Sequence, residues 1–224
     1  MRRFATLLAL LGCLLSCGDA HSPAPTNPAM SAALAGASPE TLWGRQCVAC
    51  HGSAGEGNRA LGAPALTQLS SAYIDRQLSH FVNGVRGAHP DDAAGKRMAL
   101  SVANLTPEDI AGLAGYLSTE LAGTRPIASL TGNAARGQDY YSNLCSACHG
   151  GNALGNDLLG APALAGVSDW YLLSAYQSFL DGLRGQHPDD TYGAQMARLA
   201  AAVPDSDDLR DVIAFINTLP PQRP

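Results

Sequence analysis

The chain has 224 residues, 46% of them hydrophobic, and a formal net charge of −5 from 14 Lys and Arg against 19 Asp and Glu. Lys96 is its single lysine. That acidic balance excludes a phosphate-backbone binder, so no nucleic acid is expected among its partners, and the six cysteines must be explained by chemistry at particular sites.

Arg2 and Arg3, followed by the apolar stretch Phe4 to Leu15, read as an export signal, too short and too early for a membrane span. Leu14-Leu15-Ser16-Cys17 resembles a bacterial lipobox, so residues 1–16 are predicted to be a signal peptide and Cys17 to carry lipid. Cys13 ends a similar run, Leu10-Leu11-Gly12-Cys13, but leaves a shorter apolar region before it. The protein is therefore expected to be exported, periplasmic and anchored to a membrane by lipid. Residues 17–37 contain Pro23, Pro25 and Pro28 among Ala and Ser, a composition that cannot bury a core and reads as a flexible tether. No later segment is long and apolar enough to span a bilayer.

A first folded unit is predicted over residues 38–120. Ser38 caps a short helix with Pro39 at its first position. Cys47-Val-Ala-Cys50-His51 follows, then a loop, Leu61-Gly62-Ala63-Pro64-Ala65-Leu66, and a helix around Ser71 to Asn83. Next comes a turn-rich loop, Arg86-Gly87-Ala88-His89-Pro90-Asp91-Asp92, leading to Met98. An amphipathic helix starting at Thr106-Pro107-Glu108-Asp109 closes the unit, with Ile110, Leu113, Tyr116 and Leu117 on one face. After a linker at 121–131, residues 132–222 repeat the plan. Cys145-Ser-Ala-Cys148-His149 lies 98 residues after the first motif, and the same offset joins Pro64 to Pro162, Tyr73 to Tyr171, His89 to His187 and Met98 to Met196. The second closing helix starts at Asp205 to Asp208 and turns Leu209, Val212, Phe215 and Ile216 inward. About half of the positions from Cys47 to Met98 are identical in the second copy. A period this long means a duplicated domain, and strand signals are almost absent.

Cys-x-x-Cys-His is the attachment signature of c-type haem. Two thiols add to the vinyl groups of one porphyrin, and the adjacent His becomes the proximal iron ligand. A zinc ribbon needs its Cys pairs about 15–20 residues apart, far closer than Cys50 and Cys145. A thioredoxin-like pair belongs between a strand and a helix, whereas both motifs lie in Ala- and Gly-rich helical sequence. Two covalently bound haem c groups are thus the expected cofactors, on Cys47, Cys50 and His51 and on Cys145, Cys148 and His149.

Function depends on the sixth iron position. Met98 and Met196 each stand 47 residues after the proximal His and are the expected ligands; a thioether there raises the reduction potential. The polar sequence before each Met makes it a poor core position. His89 and His187 also recur and compete for the iron, or else hold the loop by hydrogen bonds. Arg86 and Arg184 suit haem propionates or stand in water. His80 and His21 have no twins and receive no role. Trp170 and Tyr176 replace Ala72 and Leu78 in the second copy, which marks that copy as a docking side.

Cys-x-x-Cys-His-Gly, then Gly-x-Pro-x-Leu, then a Met-bearing segment and a closing helix resembles the class I cytochromes c. Two such units on one exported chain resemble the dihaem cytochrome c4 family, and the Arg-Gly-x-His-Pro-Asp-Asp-x-x-Gly-x-x-Met segment is similar to that of cytochrome domains attached to oxidase subunit II. The resemblance implies an all-α fold of two tandem domains, each a small helical bundle around one haem, related by a pseudo-two-fold axis with propionate edges facing one another. It implies an electron carrier and no enzyme, delivering electrons to a terminal oxidase from an upstream quinol-oxidising complex or dehydrogenase. The alternative is a dihaem redox enzyme, such as a peroxidase or sulfur-compound dehydrogenase, or the electron-accepting subunit of one.

Overall fold

The computed structural model describes residues 36–121, 126–203 and 205–221. Cys17, Cys13, the signal segment and most of the predicted tether lie outside those residues. Among them there is no strand, only the isolated bridges Asn58 to Ala63 and Asn156 to Ala161, and no helix is long and apolar enough to cross a membrane.

Each half opens on a helix that runs into its motif. In the first, α1 (Pro39–Leu42) passes through a π-helical turn (Trp43–Cys47) into α2 (Val48–His51). Ser38 accepts from Thr41 N at 3.2 Å, and Pro39 stands where no amide hydrogen is missed. The half continues with α3 (Ser71–Val82), α4 (Ala93–Val102) and α5 (Pro107–Thr119). The reciprocal Thr106 and Asp109 capping box starts α5 and satisfies two end donors at once. The second half repeats this with α6 (Ala134–Tyr140), a π turn (Tyr141–Cys145), α7 (Ser146–His149), α8 (Asp169–Leu180), α9 (Thr191–Ala200) and α10 (Ser206–Ile216).

The segments before Met98 and Met196 are helices, not the polar loops expected. Asp92 and Asp190, read as turn residues, are N-caps whose carboxylates accept from Gly95 N at 2.7 Å and Gly193 N at 2.9 Å. A short polar side chain that competes with the helix in its interior starts one at its end.

The first and last helices of each half cross. In the second half the crossing is backbone to backbone, because a Cβ on Gly137 would overlap the Asp211 carbonyl. In the first half the aligned position is Pro39, and the small residue has changed sides: the Pro39 ring packs on Gly112, whose added Cβ would lie 3.0 Å away. The same close approach is thus made from opposite helices. Gly137→Val is expected to force α6 and α10 apart and cost about 3 kcal/mol or more. Gly115→Ala, with nothing within 4 Å of its Cβ, should instead be neutral or gain up to about 1 kcal/mol of helix propensity. Urea unfolding of the two holoproteins checks both.

Leu42, Trp43, Ile110, Leu113 and Leu117 form the centre of the first core. The second is divided into two smaller clusters, one around Tyr141, Val212 and Ile216 and the other around Val203, Leu209 and Ile213. Between these clusters the second half is hollow.

The halves meet through apolar packing of Val167, Tyr171 and Leu172 on the first core and through polar contacts. Ser70 Oγ donates to Asp157 at 2.6 Å. Arg76 donates to Gly160 O at 2.7 Å and lies over the Tyr192 ring at 4.8 Å. The chain arriving at the second half is held by Asp169, which is 2% exposed and accepts from the amides of Ser129, Leu130 and Trp170. Burial alone would raise that carboxyl, but these donors outweigh it and hold its pKa below the ordinary value.

Candidate functional site

The two Cys-x-x-Cys-His motifs take the same shape. The π turn ends on the first Cys of each and the short helix after it ends on the His. Gly52 and Gly150 then break the helix at φ +79°. The loop folds back, with Gly57 N donating to His51 O at 2.8 Å and Gly155 N to His149 O at 2.9 Å. Gly57, at φ +83°, lies so close to the following strand of loop that a Cβ would come within 2.5 Å of Ala65 N. Only glycine allows that approach.

Its result is the position of the proline carbonyls. His51 Nδ1 donates to Pro64 O at 2.9 Å, and His149 Nδ1 to Pro162 O at 2.8 Å. A carbonyl can only accept, so the proton is on Nδ1 and the lone pair of each neutral ring is on Nε2. Burial lowers both imidazole pKa values and outweighs the carbonyl hydrogen bonds that raise them. Each motif therefore presents a neutral imidazole with a metal-ready nitrogen.

The thiols are unlike reactive ones. Burial, with a smaller push from the second thiol of each pair, raises Cys47 and Cys145 to about 11. A redox or zinc-binding pair needs lowered values that give thiolates. No group of three or more His, Cys, Asp or Glu fit to hold a metal occurs among the described residues.

The hollow in the second half is a cavity of about 190 Å³. Cys145, Cys148, His149 and Met196 all line it, with a mostly apolar wall that includes Leu164, Phe179 and Ile213. Two thiols, an imidazole and a thioether around an apolar slot are the donor set of a flat macrocycle with iron at its centre, and the residues fit haem. In the first half Cys47 and Met98 both pack against the main core cluster. His187 does not line the cavity. It and His89 accept from the amides of Asp189 and Asp91, each at 3.2 Å, and so brace their own turns.

One end of the cavity is polar and faces the first half, lined by Tyr73, Arg76, Gln77, Tyr171 and Arg184. Arg86 joins them, donating to Gln77 Oε1 at 2.7 Å and Tyr171 OH at 3.1 Å, with its guanidinium over the Phe81 ring. Arg184 lies over the twin ring, Phe179. Burial pushes the Tyr171 phenol up, but Arg86 and Arg184 outweigh it and hold it below its ordinary value. Two cations thus converge on neutral acceptors, and Arg86 Nε is buried with no partner among the described residues. That arrangement wants carboxylates, which haem carries as propionates. Sequence reasoning named both arginines but missed Gln77, Tyr171 and the shared location. It also missed His80, whose Nδ1 faces Asp190 across the interface at 3.8 Å.

A cytochrome c family model matches residues 38–120 and 134–220. The chain is 34% identical over 172 residues to a thiosulfate dehydrogenase electron acceptor of Thiomonas intermedia (strain K12), covering 71% of this chain and 73% of that protein. It is 35% identical over 136 residues to the Cbb3-type cytochrome c oxidase subunit FixP of Bradyrhizobium sp. (strain ORS 278), covering 59% of this chain and 45% of that subunit. It thus spans less than half of the FixP chain. The fold matches cytochrome c4 of Pseudomonas stutzeri with a TM-score of 0.61 at 23% identity, over 81% of this chain and 96% of that one. The expectation of an all-α pair of tandem cytochrome domains is met.

Proposed function

Because this chain belongs to the cytochrome c family and carries the family's domain twice, we propose that it is an electron carrier with one haem in each half, working outside the cytoplasm. Two covalently bound haem c groups are its cofactors. The domains would run over 38–120 and 132–222, with thioethers at Cys47, Cys50, Cys145 and Cys148. His51 and His149 would be the proximal ligands and Met98 and Met196 the distal ones. The observation that carries this reading is the single cavity shared by Cys145, Cys148, His149 and Met196.

Haem supplies one-electron chemistry at iron, and the protein sets potential, spacing and access. The Pro64 and Pro162 carbonyls orient the imidazoles and leave Nε2 for the metal. Arg86 and Arg184, held by Gln77 and Tyr171, would bind propionates where the halves meet and bring the two redox centres close. Methionine on both irons would close them to small substrates, while outer-sphere transfer would need only a near haem edge.

Delivery to a terminal oxidase is favoured by the similarity to FixP. A second reading, the electron-accepting partner of a thiosulfate-oxidising dehydrogenase, is favoured by the similarity to the Thiomonas protein. An anchor on Cys17, whose lipobox precedes a Pro-rich stretch, would keep either role at a membrane. The purified, reduced holoprotein should be oxidised by membranes holding a haem-copper oxidase and should not turn over peroxide, thiosulfate or sulfite alone. Rapid turnover of any of these without a second protein would make it an enzyme.

A further inference from the structure

The duplication permits a comparison of the two halves position by position, and their surfaces are not equivalent. Residues 38–120 hold six Lys and Arg against eight Asp and Glu, whereas residues 132–222 hold four against ten. Five of the first half's six cations, all but Arg86, have no cationic twin in the second, and three of the five lie close together. Arg59, Lys96 and Arg97 align with Asp157, Ala194 and Gln195.

These three cations are exposed. Each bonds only a neutral oxygen: Arg59 donates to Ser129 Oγ at 2.8 Å, Lys96 to Pro90 O at 2.7 Å and Arg97 to Leu61 O at 3.4 Å. None forms an ion pair with a carboxylate among the described residues. Their charge is therefore uncompensated. They stand around two apolar side chains that face water, Leu61 at 47% exposure and Leu100 at 63%. Arg97 and Leu100 are one helical turn apart on α4, the helix that carries Met98. Leu159 and Gln195, the twins of Leu61 and Arg97, line the cavity of the second half. The cationic patch thus lies at the rim of the first redox site.

The aromatic difference that pointed to the second half is not a surface feature. Tyr176 turns inward, donates to Ala200 O at 2.5 Å and lines the cavity. Trp170 is half-buried, edge-on to Tyr171.

From this asymmetry we infer that the first half docks a redox protein whose surface is acidic around its own centre, with Arg59, Lys96 and Arg97 as the charged rim and Leu61 and Leu100 as the apolar contact. The inference rests on the electron-carrier reading and adds its polarity. Salt screens charges beyond about 8 Å at physiological ionic strength, so a local patch of three cations governs the final approach even on an acidic protein. Uncompensated rim charges act on the association rate. At the position of Leu100 the second half has a cation, Arg198, but exposed Asp157 and Asp181 stand where the first half has Arg59 and Asn83. An acidic partner is repelled there and turned toward the first site.

The test is stopped-flow reduction of the oxidised holoprotein by an acidic plant-type ferredoxin, with dithionite as a control. The wild-type rate should fall steeply with added salt. R59E/R97E should lower it at least about tenfold at low ionic strength, the lower end of what steering supplies, and R59Q/R97Q should fall between. D181K, on the other half, should stay within about twofold, since it lies outside the docking rim. A ferredoxin rate indifferent to R59E/R97E, or one that D181K raises as much as R59E/R97E lowers it, would overturn the docking assignment. Dithionite should reduce wild type and all variants fully. If dithionite leaves half of the wild-type haem oxidised, the carrier reading itself fails.

Discussion

Replacing Cys145 and Cys148 together by Ala is expected to leave one covalently held haem per chain and an unfolded second half. Both thiols line the hollow of that half, and its buried clusters are small and separate. Left unfilled, a cavity of about 190 Å³ costs roughly 4–5 kcal/mol at the usual penalty per unit volume. That is as much as the whole stability of many small domains. Haem is therefore core as well as cofactor in this half. The single change Cys145→Ala should be milder, leaving one thioether through Cys148. Acid–acetone extraction of denatured protein, followed by a count of the haem that stays with the chain, reads the result. Wild type should keep two. A double variant that also keeps two would remove Cys145 and Cys148 from the attachment site. The first half should stay folded but lose some stability, because the centre of its core, Leu42, Trp43, Ile110, Leu113 and Leu117, lies away from the second cavity while Val167, Tyr171 and Leu172 of the second half pack on its edge.

Much of this architecture was legible in the residues, and the reasons differ by element. Ser38, Thr106 and Asp205 were readable as helix starts because a cap is a local device, and all three accept from backbone amides of the first turn. The motifs were readable because covalent attachment demands fixed spacing. The duplication followed from identity at one offset. The helices carrying Met98 and Met196 were hidden because Pro90, Asp91 and Asp92 mask a helix start as a turn. The spacing from Asp92 to Gly95, repeated at Asp190 and Gly193, was the signal that could have found them. The swap of Gly137 for Gly112 at the helix crossings was illegible, since neither residue aligns with the other. Gln77 and Tyr171 belong to the interface, which no local pattern encodes: Gln77 aligns with Ala175, so the repeat itself pointed away from it. The aromatic pair in α8 misled because composition does not tell which face of a helix turns inward.

Met98→Leu is expected to abolish half of the weak far-red absorption that reports iron–sulfur bonding in the ferric protein and to lower the potential of one haem only. Leucine keeps nearly the volume of methionine, so packing should cost less than about 1.5 kcal/mol, and the loss isolates the ligand from the core. The setting of the residue supports this. Met98 is half-buried on α4, packed against the main cluster of the first half. The start of that helix is fixed twice, by the Asp92 cap and by the approach of Gly87, at φ +81°, where a Cβ would come within 2.5 Å of Gly95 O. Gly185 repeats the contact with Gly193, and in that half Met196 shares the cavity with His149. A sulfur held on a helix with a fixed origin would be a ligand that need not be recruited. Replacing it would leave water or a nitrogen donor as the sixth ligand, and either would lower the potential relative to the thioether. His89→Ala should leave both the band and the potential unchanged, because His89 braces the Asp91 amide and nothing else in the site. If His89→Ala removes the iron's sixth ligand and Met98→Leu leaves the spectrum intact, the distal ligand is histidine and the site must be redrawn around the turn instead of the helix.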